Sequence, residues 1–225
     1  MKKHISAFAL SLLLTGGAFA TTVVLPPGGS TGPAGSGTVP SNGNTFPGTL
    51  IADTGVVAMT PGVGSSVTAM GEEKVYRTAG GTLDFFVQVT NNQTNGSDNL
   101  NEVSLLDFTG FTTSVAYLTD NGGQVAPGNA SRTATGRVLN FFFTDVMGNN
   151  TLGTIAPYGL GSTSYWLEVD TNATAYKGGS VAVQDSGNAA MLAYAPAVPE
   201  PMSMGLLGGG LTALGLLRLR KARKA

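Results

Sequence analysis

An all-β fold, an antiparallel β-sandwich of the Ig-like or jelly-roll kind, is the class this sequence predicts. Three observations predict it. Apolar residues alternate with polar ones at period two in short runs. Clusters of Gly, Asn and Asp separate those runs as turns. Helical periodicity is scarce from residue 50 to residue 196, where β-branched and aromatic side chains recur at short intervals. An open barrel is the alternative closure of the same pattern.

The elements follow in chain order. Lys2 and Lys3 form a positive leader, Ile5 to Leu14 an apolar run, and Ala18-Phe19-Ala20 a small-x-small cut site. Residues 1–20 therefore read as a signal helix removed after Ala20. Residues 21–49 read as a flexible linker, because Gly, Pro, Ser, Thr and Asn fill the stretch from Pro26 and leave little apolar surface to offset ordering entropy. Residues 50–196 are the expected β-sandwich domain. In it Leu83, Phe85, Val87 and Val89 alternate with Asp84, Phe86, Gln88 and Thr90, a strand. Glu102 to Phe108 and Thr112 to Thr119 are the next two, followed by the turn Asp120-Asn121-Gly122-Gly123. Arg137 to Thr144 sets Leu139, Phe141 and Phe143 on one face. Ser162 to Val169 sets Tyr165, Leu167 and Val169 on one face and Trp166 and Glu168 on the other. Ala175 to Gln184, with Gly178-Gly179 inside, reads as a bulged strand or a hairpin. Ala189 to Ala195 is the last expected strand.

Residues 197–225 differ in kind. Val198-Pro199-Glu200-Pro201 leads into Met202 to Leu217, a stretch without charge, and then a basic end holding Arg218, Arg220, Lys221, Arg223 and Lys224. A helix of this length spans about 24–27 Å, slightly less than the ~30 Å hydrocarbon layer. Snorkelling basic heads would let it serve as a transmembrane helix, with the basic cluster on the cytoplasmic side and the body outside. An ordinary C-terminal anchor has the same physical features. The order of the three parts at the chain end resembles the PEP-CTERM sorting signal. That resemblance implies a Gram-negative bacterium, often a producer of exopolysaccharide. It also implies a membrane-embedded exosortase that cuts near Pro199-Glu200-Pro201. The implied partners are thus the exosortase, the inner membrane transiently, and exopolysaccharide.

Composition narrows the chemistry. Residues 21–197 carry 12 acidic and 5 basic side chains and so sit near −7, which disfavours nucleic acid as a partner. The chain has no cysteine, and its one histidine, His4, lies in the leader. Ser-His-Asp triads, Cys-His dyads and His-ligated zinc are therefore excluded from the exported part. Carboxylates remain as the acid–base groups, with no spacing that marks a catalytic pair. Trp166, Tyr165 and Glu168 are the candidate glycan contacts, since an aromatic beside carboxylates can form a sugar-binding surface. Asp98 to Glu102 and Asp120 to Gly122 offer oxygens without the spacing of a calcium loop, and they read as turns. No metal and no cofactor is expected. The function these observations imply is that of a non-enzymatic exported protein of the cell surface or exopolysaccharide matrix. A carbohydrate-binding module is the alternative, and a carboxylate-based glycan hydrolase the third reading.

Overall fold

The computed structural model of the chain describes residues 22–31, 41–43, 45–92, 100–119, 125–143, 163–184 and 187–198. The expected signal helix and the expected sorting signal from Pro199 onward lie outside them. So do the turn at 120–123 and most of the loop before Glu102. Among the described residues no helix is long and apolar enough to cross a membrane.

The period-two pattern does what the geometry of a strand requires. Leu83, Phe85, Val87 and Val89 are fully buried in the core, and the residues between them point to the opposite face. The strands in order are β1 (Val23–Val24), β2 (Thr49–Asp53), β3 (Val57–Ala58), β4 (Thr60–Pro61), β5 (Ala69–Arg77), β6 (Leu83–Asn91) and β7 (Glu102–Leu105). They continue as β8 (Thr113–Leu118), β9 (Asn129–Arg132), β10 (Leu139–Phe142), β11 (Trp166–Thr171), β12 (Ala175–Gln184) and β13 (Asn188–Ala197). They form two antiparallel sheets. The first runs β1-β8-β11-β6-β5-β2, with β3 also on β5; the second runs β4-β13-β12-β7-β10-β9. The two sheets share one apolar core. Val75, Phe85, Val115, Leu167 and Val169 come from the first, and Val103, Leu139, Phe141, Val181 and Val183 from the second. Phe85 meets Phe108 edge-on at 5.6 Å across this layer. Each such ring contributes roughly 2–3 kcal/mol by leaving water.

Two differences from the sequence reading have clear causes. Ala175–Gln184 is one strand, paired with β13 in unbroken register, rather than a bulge or hairpin. Its glycine at 179 permits close approach, since a Cβ there would sit 2.7 Å from the Ala195 Cβ. The linker reading of 21–49 also fails for much of its described part. Val23–Val24 pairs with β8, and Ser30 bridges Ser131. Leu25 is fully buried in the core. A composition average hides this, because single apolar residues such as Leu25 need only one receptive site each.

Candidate functional site

The outer face of the first sheet carries the most concentrated chemistry. Strand alternation places Trp166, Glu168 and Asp170 of β11 on this face. Phe86 and Asp84 of β6 and Lys74 and Tyr76 of β5 share it. Register then decides neighbours. Glu168 lies opposite Phe86, Phe86 opposite Lys74, Asp170 opposite Asp84, and Asp84 opposite Tyr76. Aromatic and acidic side chains therefore interleave. Trp166 is only 2% exposed, Glu168 1% and Asp84 4%.

The cover comes from the chain's own N-terminal part. Ser41 bridges Tyr117, the Asn42 N–H donates to the Tyr117 carbonyl at 2.7 Å, and the Thr119 N–H donates to the Gly43 carbonyl at 2.7 Å. The chain then crosses the face and joins β2 beside β5. On the way Phe46 stacks on Tyr76 at 4.9 Å and meets Phe86 and Trp166 edge-on at 5.0 and 5.3 Å. Gly48 completes the crossing at φ +76°, where a Cβ would lie 2.0 Å from the Arg77 carbonyl oxygen. The Asn42 amide donates to Glu168 Oε2 at 2.7 Å. Lys74 sits 4.5 Å above the Trp166 ring, a cation–π contact, and pairs with Glu72 at 2.8 Å.

Burial shifts the carboxyls of this face upward. Desolvation, then the neighbouring Asp170, pushes Asp84 up to about 7. Glu168 is raised by desolvation first and by Asp170 second, against the opposing bond from Asn42. Asp170 is raised by desolvation, while bonds from Thr22 and Glu168 pull it back. Glu168 and Asp170 interact through their side chains, which raises Glu168 and pulls Asp170 back.

Two further buried polar groups hold the frame. Arg132, 3% exposed, donates to the carbonyls of Gly136, Leu25, Phe108 and Phe111 and to the Thr113 hydroxyl. It ties the N-terminal segment to the β7–β8 loop and to the β9–β10 turn, and burial lowers its pKa. Glu73, on the core side of β5, accepts the Tyr194 N–H at Oε2, and its Oε1 has no hydrogen-bond partner among the described residues. Desolvation pushes this carboxyl up to about 8.

The glycan-contact residues expected from the sequence do not form a surface. Trp166 and Glu168 share a face as expected, but Phe46 and Asn42 cover them. Tyr165 instead stacks on Tyr117 at 5.5 Å, outside the Trp166 cluster. Val198 is exposed just past β13. Ala18, Ala20, Pro199, Glu200, Pro201 and the basic residues 218–224 lie outside the described residues. Sequence reasoning did not single out Asn42 or Phe46, and it counted Asp84 and Glu73 only among the available carboxylates, without a position. Phe46 had a visible signal, being the lone aromatic in a Gly/Pro/Ser-rich stretch. No group of three or more His, Cys, Asp or Glu able to hold a metal ion occurs among the described residues. A shallow hollow of about 320 Å³ lined by Val63, Gly64, Ser65, Gln184, Gly187 and Asn188 lies apart from this face.

Comparison of the chain with known protein families, with curated proteins and with solved structures returns no match.

Proposed function

We propose that this chain is an exported, non-enzymatic structural protein of the bacterial cell surface or exopolysaccharide matrix. Its body is a β-sandwich of Ig-like or jelly-roll type, and an exosortase processes it at Pro199-Glu200-Pro201. The observation that carries this reading is the order of the terminal signals. A short apolar leader with a small-x-small site opens the chain, and Pro-Glu-Pro, an uncharged stretch and a basic cluster close it.

The positions of the strands support it. β1 begins just beyond the expected cut after Ala20, and β13 ends just before Pro199. Both cuts fall outside the thirteen strands, so processing would leave the body whole. The arrangement of the acidic face supports the non-enzymatic part. Its carboxyls contact one another and the covering segment rather than lining an open cleft. A sugar-binding role for Trp166 would need that ring at the surface, and Phe46 lies against it.

Intact-mass analysis of the exported protein tests the reading. The expected species starts at Thr21 and ends near Pro199-Glu200-Pro201. A mature species that retains residues 202–225 overturns the processing claim.

A further inference from the structure

We propose that residues 22–31 form an exchangeable arm, which docks on the body of a second copy of this chain as it docks on its own. Mutual exchange of arms then joins two copies. This exchange goes beyond the structural-protein reading and requires neither terminal cut.

The arm is seated along the edges of both sheets. Val23–Val24 adds a strand to β8 on the side opposite β11. The Leu25 N–H donates to the Thr113 carbonyl at 2.8 Å, and the Thr113 hydroxyl donates to the Leu25 carbonyl at 2.8 Å. The Leu25 side chain is fully buried in the apolar core. The chain then turns, with Gly28 at φ +75° and the Gly29 N–H donating to the Pro26 carbonyl at 2.8 Å. It arrives at β9 on the side opposite β10. There the Arg132 N–H donates to the Gly29 carbonyl at 2.9 Å. The Thr31 N–H donates to the Ala130 carbonyl at 2.8 Å, and the Ala130 N–H donates to the Thr31 hydroxyl at 2.9 Å. The Arg132 guanidinium also holds the Leu25 carbonyl at 3.3 Å.

A body without its arm would present two open strand edges and an unfilled core position. Open edges are templates for strand addition. The occupant is closely specified. A leucine must enter the core, a glycine must take positive φ beyond it, and a hydroxyl must answer the Ala130 N–H. Residues 22–31 of any copy meet these demands.

Chain order sets up the competition between copies. The arm reaches its partners across 88 to 107 positions of sequence. It is synthesised long before Thr113–Arg132, so at first its own chain offers no receptor. Residues 32–40 tie it to the rest of the chain, nine residues with no charged or aromatic side chain. Fully extended they reach at most about 30 Å. A tether of this length holds the arm at an effective concentration on the order of 1 mM. The same contacts form in either arrangement, so only the tether favours the arm's own body. A second copy at a comparable concentration competes evenly.

The chain has no cysteine, so introduced ones report docking without background. Leu25 bonds Thr113, which makes Val24 and Ser114 the neighbouring non-bonded pair. Their Cα atoms should lie about 4.5 Å apart, within disulfide range. Val24→Cys and Ser114→Cys are made in separate chains, which are unfolded together, refolded and briefly oxidised. The cross-linked fraction is expected to rise about a hundredfold or more between about 1 µM and about 1 mM chain. Val63→Cys replaces Val24→Cys as the control for collisions, since Val63 is fully exposed and outside the arm. It should cross-link to Ser114→Cys about tenfold less. Should the variants refold poorly, native mass of the unmodified chain serves instead. Refolding at about 1 mM should give a dimer that survives dilution and reverts to monomer only after unfolding and refolding at about 1 µM. The exchange is overturned if the chain stays monomeric at the higher concentration, or if its dimer dissociates at once on dilution. It is also overturned if Val24→Cys cross-links no better than Val63→Cys.

Discussion

The two faces of the first sheet are both buried, and they are buried by different chemistry. On the inner face Leu83, Phe85, Val87, Val89, Leu167 and Val169 pack against the second sheet in an apolar core. On the outer face Phe86, Trp166 and Tyr76 pack against Phe46, beside carboxyls whose pKa burial raises. The inner face is closed by another sheet with many strands behind it. The outer face is closed by a single crossing of the chain. The difference teaches that burial alone does not define a core. The inner face is apolar apart from Glu73, whereas the outer face mixes rings with carboxyls that burial shifts upward.

Three measurements sharpen or break this contrast. The largest effect is expected on the inner face. Phe85→Ala removes a fully buried ring and should cost about 4 kcal/mol in denaturant unfolding, by lost transfer and by the cavity left behind. A cost near that of an exposed substitution would mean that the inner face is not the main core.

The second measurement concerns the polar exception within that face. Burial raises the Glu73 carboxyl from 4.5 to about 8. A raised folded-state value means that stability is greatest below the unfolded value and falls as pH rises through this window. Glu73→Gln should therefore flatten the decline between pH 4.5 and pH 8. It should be more stable than the parent at pH 8 by up to about 4 kcal/mol, with little difference at pH 4.5. An unchanged slope would show that Glu73 does not titrate with folding.

The smallest effect is expected on the outer face. Phe46→Ala removes three ring contacts made by a half-buried side chain and should cost about 1.5 kcal/mol at pH 5. A loss as large as that of Phe85→Ala would erase the distinction between the faces.

Much of the two-sheet body was legible because strand alternation is a local property. β6 and β8 fall where their patterns predict, and the split of Leu167 and Val169 from Trp166 and Glu168 on β11 follows from periodicity. β5 was not legible. Its core-side positions are Ala69, Gly71, Glu73 and Val75, and only Val75 among them is a bulky apolar residue. Methionines from elsewhere, Met59 and Met191, fill the space beside Gly71. The acidic face was half legible. Glu168, Asp170 and Trp166 are near neighbours in sequence, but Asp84 joins them only through the register of β6 on β11.

By itself the sequence determined the all-β class, the inward side of most strands and the absence of histidine and cysteine chemistry beyond His4. These follow from composition and from a period of two. Only the tertiary structure decided what covers the second face of a strand. Alternation sets Trp166 and Glu168 apart from the core side, yet it cannot tell an exposed surface from a covered one. That choice depended on where Asn42 and Phe46, more than 100 positions earlier, return to the sheet.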